Sequence, residues 1–298
     1  MMEPRFRFEF IPAPEDLAPY VNTLFVFSTD EERLDDILPA YSAQLISFGT
    51  GAARMQFAED RIGESSPAFV VAPMQEAAPF SIAGPARACG ISLTSLGWAS
   101  FAHLPVDDAG HQVHHIKDLI GDEVAQSLAS IGNAYAAGEC TPQEAGEALA
   151  SFLRDNLLPP SDRERQFIEK TVAWLSSSFN PPIDALIAAT GDTERNVQRL
   201  CKKFFGKPPA SLVKRYRAMR AATILSQPNV PSEIRDEAIN AFFDQAHMVR
   251  DIRRFTGRTP TGLGGEGFTV TSDTLGPEGY GVVDLFGGAG IATDPDSS

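Results

Sequence analysis

Cysteine, tryptophan and tyrosine are scarce in this 298-residue chain, which has only 3, 2 and 5 of them. The cysteines, Cys89, Cys140 and Cys201, are odd in number and far apart, with no Cys-x-x-Cys or Cys/His metal spacing. That excludes a disulfide framework and fits a reduced, cytoplasmic chain. No apolar run approaches the ~20 residues that a membrane span needs. The N-terminus, Met1 to Phe6, lacks the apolar core of a signal peptide. No membrane partner is expected. Also missing are a Gly-x-Ser-x-Gly elbow, a phosphate-binding loop and a dinucleotide fingerprint. No cofactor and no enzymatic activity are expected. Four of the five histidines (His103, His111, His114 and His115) crowd together without an acidic or cysteine partner at matching distance. They read as a polar loop, not a metal site. The acid pairs Asp35-Asp36 and Asp107-Asp108 read as solvated turns.

Basic residues are also few, 25 against 39 acidic ones, for a net charge of -14. Taken globally, that argues against nucleic acid. Counted by segment, it does not. Residues 183–263 hold 14 Lys and Arg against 8 Asp and Glu, residues 1–182 hold 11 against 25, and residues 264–298 hold none against 6. The single basic stretch is flanked by acidic ones.

Short apolar runs punctuate residues 6 to about 100: Leu24–Phe27, Leu45–Phe48, Ala68–Ala72 and Cys89–Leu93. Turn-prone pieces such as Gly49-Thr50-Gly51 and Gly84-Pro85 separate them, a spacing that suits a β-sandwich or barrel. Helical patterns follow. Val124, Leu128 and Ile131 recur at 4-then-3 spacing within 119–135. Thr141 and Pro142 open a second helix that runs to Leu153. Pro159-Pro160 breaks the pattern, and Ser161-Asp162-Arg163-Glu164 reads as a capping box for a helix to about Ser177. Three regions are therefore expected: 1–158, 159–263 and an acidic, Gly-rich, largely disordered tail over 264–298. In the tail, Tyr280–Phe286 is apolar enough to dock, which raises the alternative of autoinhibition.

Two stretches of the middle region, 183–200 and 237–255, each read as a short apolar helix, a tight turn, an N-cap and a second helix. In the first, Thr193 caps, Val197, Leu200 and Phe204 face inward, and Arg195, Gln198, Arg199 and Lys202 face outward. In the second, Asp244 caps, Met248, Ile252 and Phe255 face inward, and Gln245, Ala246, Val249, Arg250 and Arg253 face outward. A helix of this size fits a DNA major groove, where Arg pairs with guanine and Gln with adenine. A joining helix, about 210 to 225, carries Lys214, Arg215, Arg217 and Arg220 as candidate phosphate contacts or a solvated stripe.

These stretches resemble the AraC/XylS family of bacterial transcription regulators. The resemblance lies in Gly191–Leu200, Phe204–Pro209, Phe243–Arg250 and Arg254–Pro260, and it covers about 161–263. It implies an α+β chain: an N-terminal cupin-like β-barrel with following helices, then an all-α double helix-turn-helix domain. Residues 37–46 and 84–91 are similar to strands of the cupin-like part, which implies a small-molecule effector or a homodimer. Carried over by position, the base readers are Arg195, Gln198 and Arg199, then Gln245, Ala246 and Arg250. Double-stranded DNA is the implied partner, with RNA polymerase if the chain activates.

Three departures weaken the match. Asp192 stands where the family has an apolar turn residue. Ala241 replaces the turn glycine, so its backbone must avoid positive φ. The helix before it, 232–237, is more charged than the family's apolar equivalent. Ala246 and the acidic neighbour Asp251 also imply a weak second reading helix. The rival reading is a protein-interaction module that keeps the fold with weakened DNA binding. An enzyme built on the barrel would need a catalytic constellation that the sequence does not display.

Overall fold

The computed structural model describes residues 5–57, 61–227, 230–263 and 269. The expectations for the acidic tail, including docking by Tyr280–Phe286, lie outside the described residues.

Seven strands come first: β1 (Arg7–Ile11), β2 (Val21–Thr29), β3 (Arg33–Leu38), β4 (Gln44–Gln56), β5 (Ile62–Glu64), β6 (Ala68–Val71) and β7 (Ala78–Leu93). The helices α1 (Ser95–Phe101) and α2 (Val106–Ala109) lead into a last strand, β8 (Val113–His115). All pairings are antiparallel, in the order β1-β2-β7-β4-β6-β8, with β3 added to β7 and β5 to β4. β7 is long enough to serve two partners side by side: Ala86–Leu93 pairs β2, and Ala78–Ala83 pairs β3.

Alternation along the strands sorts side chains by type. One face carries aliphatic residues, Leu24, Val26, Leu45, Val70 and Ile91. The other carries phenylalanines, Phe27, Phe48 and Phe69, joined by Phe8 and Phe10 of β1. The aliphatic face is covered by α1 and by α4 (Asp122–Ala137) and α5 (Pro142–Asn156), which follow the short α3 (Ile116–Leu119). Close approach of α4 to β4 needs glycine on both sides. A Cβ on Gly49 would sit 2.0 Å from the Gly132 carbonyl oxygen, and one on Gly132 would sit 2.3 Å from Ser47 Oγ. α5 opens with Thr141 as its cap and Pro142 in the first turn, as its sequence predicts, and Glu144 completes a capping box with Thr141.

The phenylalanine face surrounds a cavity of about 100 Å³. Among the described residues its polar side chains are Tyr41 and Gln44, and none of the lining is charged. Gln44 turns its amide nitrogen to Ser42 O and Ser92 Oγ, each at 3.1 Å.

The remaining helices are α6 (Asp162–Ser176), α7 (Ile183–Thr190), α8 (Glu194–Phe205), α9 (Pro209–Ser226), α10 (Ser232–Asn240), α11 (Gln245–Thr256) and α12 (Pro260–Leu263). They do not form a separate core. Phe167, Trp174, Leu186, Val197 and Phe204 pack with Leu96 and Ala99 of α1. Met219, Met248, Ile252, Phe255 and Leu263 belong to the same apolar cluster as Phe27, Phe48 and Phe69.

Two local expectations are corrected. The histidine stretch contains a strand as well as loop, because β8 pairs β6 and sets His114 opposite Val70. His114 Nε2 then lies 2.8 Å from Ala109 O, and His115 Nε2 lies 3.0 Å from Glu64 O. Asp36 is not a solvated turn residue. It lies in β3 with its side chain 5% exposed, paired with Arg258.

Candidate nucleic-acid interface

The first unit is α7, a turn and α8. The turn reverses at Gly191, whose φ of 70° is left-handed. Thr193 then caps α8, accepting the Asn196 amide on its hydroxyl. Val197, Leu200, Cys201, Phe204 and Phe205 are buried. Arg195, Gln198, Arg199 and Lys202 are all exposed on the opposite side, the arrangement their spacing predicts. Lys203 faces elsewhere, 2.6 Å from Glu164 of α6. That hydrogen bond, chiefly, holds the Glu164 carboxyl below the usual range.

Asp192 does not leave a packing defect. Its carboxylate accepts from Arg163 Nη2 at 2.8 Å and from Asn196 Nδ2 at 2.7 Å. Burial pushes its pKa up, but Asn196 and Arg163 outweigh burial and hold it below the ordinary value.

The second unit is α10, a turn and α11. Ala241 sits at φ -66°, right-handed, so the absence of the turn glycine costs no strain. Asp244 caps α11 by accepting the His247 amide at 2.7 Å. Met248, Ile252 and Phe255 are buried, whereas Gln245, Ala246, Arg250 and Arg253 are exposed and Val249 is half-buried. Phe242 turns inward. Phe243, immediately before the cap, is 93% exposed.

Asp251 does not lie on the exposed face of α11, because it is buried. Its Oδ2 lies 3.1 Å from Arg217 Nη2 and 3.0 Å from His247 Nε2. Arg217 also donates to Asn180 Oδ1 at 2.8 Å and stacks on Phe242 at 4.7 Å. This cluster locks α11 onto α9. Nothing local in the sequence signals it, since Arg217 and Asp251 lie 34 residues apart.

The basic stripe of α9 is largely turned inward. Beyond Arg217, Arg215 donates to Met74 O at 3.1 Å, and burial pulls its pKa below the ordinary arginine value. Arg220 lies over the Phe179 ring at 4.6 Å. Lys214 is the exposed member of the four.

Both α8 and α11 are tied to loops beside the sheet at their C-terminal ends, where carbonyls lack helical partners. In α11, Phe255 O accepts from the Ala40 amide at 2.7 Å and Arg254 O from the Ala77 amide at 3.1 Å. Ion pairs Arg254–Glu76 and Arg258–Asp36 flank these bonds. Gly257, at φ 75°, lets the chain lie on Ile37, where a Cβ would come within 2.4 Å of Ile37 Cγ2. In α8, Phe205 O accepts from Gln75 Nε2 at 3.4 Å. The loop between β6 and β7 thus touches both units.

Among the described residues, no group of three or more His, Cys, Asp or Glu side chains could hold a metal. No helix among them is long and apolar enough to cross a membrane.

No family model matches the sequence, and no curated protein does. Several solved structures follow a similar course. ToxT from Vibrio cholerae is 8% identical, with a TM-score of 0.45, over 86% of this chain and 97% of that one. ToxT from strain SCE256, bound to an unsaturated fatty acid, is 10% identical, with a TM-score of 0.44, over 87% and 95%. The AraC-like transcriptional activator CuxR is 13% identical, with a TM-score of 0.27, over 74% and 88%.

Proposed function

We propose that this chain is a sequence-specific DNA-binding transcription regulator of the AraC/XylS type. In this reading, residues 159–263 bind duplex DNA, α8 and α11 enter major-groove segments, and 1–158 form the sensing or dimerising part. The observation that carries it is the pair of capped helices. Each buries an apolar face and leaves Arg and Gln exposed on the other, the side chains suited to guanine and adenine edges. Phosphate contacts would seat the domain, and Arg195, Gln198 and Arg199 would read bases, supported by Gln245 and Arg250. Selection from a random duplex library, with the full chain and with a chain ending at Leu263, tests it. An enriched motif from either supports the reading. No enrichment from either folded protein contradicts it.

The apolar cavity supports an effector role for the N-terminal part. Among the described residues its lining offers a carboxylate no cation, so the effector class it suits is small, neutral and hydrophobic. Dry apolar cavities of comparable size, roughly 150 Å³, hold benzene.

One observation favours a second reading. Phe243 is 93% exposed beside a helix whose outer face also carries Ala246. A protein partner for the second unit would cover it, leaving DNA reading to the first.

A further inference from the structure

The first reading helix carries a hydrogen-bonded relay that begins outside it. Arg163, at the start of α6, donates through Nη2 to Asp192 Oδ1 at 2.8 Å. The same Asp192 oxygen accepts from Asn196 Nδ2 at 2.7 Å. Asn196 Oδ1, the other end of that amide, accepts from Arg199 Nε at 3.2 Å and Nη2 at 2.9 Å. Asp192 is largely shielded, with 15% of its side chain exposed, so its geometry is set by the turn and not by solvent. The acceptance from Asn196 also fixes which way round that amide sits: nitrogen toward Asp192, oxygen toward Arg199.

This arrangement bears on how Arg199 meets a base. A guanidinium has five N–H groups in a planar fork. The side edge of Arg199, formed by Nε and the near hydrogen of Nη2, is occupied by Asn196. The end edge, formed by Nη1 and the far hydrogen of Nη2, points away from that contact. The end edge is a bidentate donor that matches guanine O6 and N7.

We propose that Asp192 and Asn196 are positioning residues that hold Arg199 with its end edge free, so that it selects guanine by end-on bidentate contact. Asp192, which departs from an apolar turn position, is thereby given a specificity role. The inference rests on the DNA-binding reading of α8. Holding one long side chain in its bound rotamer before contact is worth about two- to tenfold in binding.

The test measures affinity of the full chain for its selected duplex and for duplexes with each guanine replaced in turn. Arg199→Ala identifies the guanine that Arg199 reads. Asn196→Ala, which keeps a good helix former, should lose about two- to tenfold of discrimination at that guanine and little at others. Asp192→Ala should do the same, and Asp192→Asn, which keeps an acceptor oxygen, should retain most of it. In the Arg199→Ala background, Asn196→Ala should change base preference no further. Thermal melting of each variant confirms folding. Equal loss at every position, no loss at all, or full additivity of Asn196→Ala with Arg199→Ala would overturn the inference. If the wild type selects a motif but Arg199→Ala leaves every base preference intact, the positioning inference falls while the DNA-binding reading stands. If no motif is selected, both fall.

Discussion

The carboxylate of Asp36 in β3 is paired with the guanidinium of Arg258, just past α11, although 222 residues of chain separate them. Asp36 is 5% exposed and Arg258 26%. The pair joins the sheet to the second helix-turn-helix unit beside two backbone bonds that satisfy the last carbonyls of α11. Removing one member of a buried ion pair is destabilising, by about 3 kcal/mol. Arg258→Ala should therefore lower unfolding stability in urea by roughly this amount. A change within about 0.5 kcal/mol, the range of ordinary surface substitutions, would show that the pair is only peripheral.

Asp251 makes a similar prediction with a functional edge. Were it an acidic intruder on the reading face, Asp251→Ala would strengthen DNA binding by removing repulsion. Its burial between Arg217 and His247 implies the opposite. The substitution should destabilise α11 and weaken binding to the selected duplex. Tighter binding, with unchanged melting, would return Asp251 to the reading face.

Acid sensitivity is expected at the joint between α6 and α8. Glu164 is held below its ordinary pKa, first by its hydrogen bond from Lys203. A carboxyl whose folded value is depressed contributes stability above its unfolded pKa and loses it as pH falls through the folded one. The wild type should therefore lose more stability than Lys203→Met between about pH 5 and pH 3. Parallel pH curves for the two proteins would exclude this contribution.

The thiols should differ in reactivity. Burial pushes Cys89 and Cys201 each up to about 12. Cys140 is only half-buried. Burial, with Glu144 and Glu139 nearby, raises the Cys140 thiol as well, but its access is greater, so alkylation of the native chain near pH 8 should modify Cys140 first, slowly, and the other two only on unfolding, as the thiolate is the reacting species. Rapid native labelling of Cys201 would mean that α8 opens from its core.

The cavity predicts a charge preference among ligands. Toluene should raise the melting temperature, whereas benzoate of similar size should not, because its carboxylate would find no cation in the lining. Ala88→Phe, which introduces a ring into the cavity wall, should abolish the toluene effect. A benzoate shift lost in the same variant would contradict the neutral-ligand reading.

Local chemistry made the helices and their caps legible in the sequence. Thr141, Thr193 and Asp244 each precede a periodic run and each accepts the expected amide. The exposed faces of α8 and α11 followed from the same spacing. What escaped was long-range. Asp36 looks like one of a solvated pair because its partner lies at the other end of the chain. Arg215, Arg217 and Arg220 look like a surface stripe because their acceptors come from the 74–75 loop, Asp251, Asn180 and Ser176. Hydrophobic pattern also gave no sign that the core of the second unit would merge with the phenylalanine face of the sheet, since periodicity says which residues are buried but not against what.

Guanine-N7 methylation interference on the selected duplex decides whether both α8 and α11 read DNA. If both do, interference should fall in two separate major-groove segments, one lost in Arg199→Ala and the other in Arg250→Ala. Interference confined to one segment, and unchanged by Arg250→Ala, would contradict reading by both helices and leave the second unit to a protein partner.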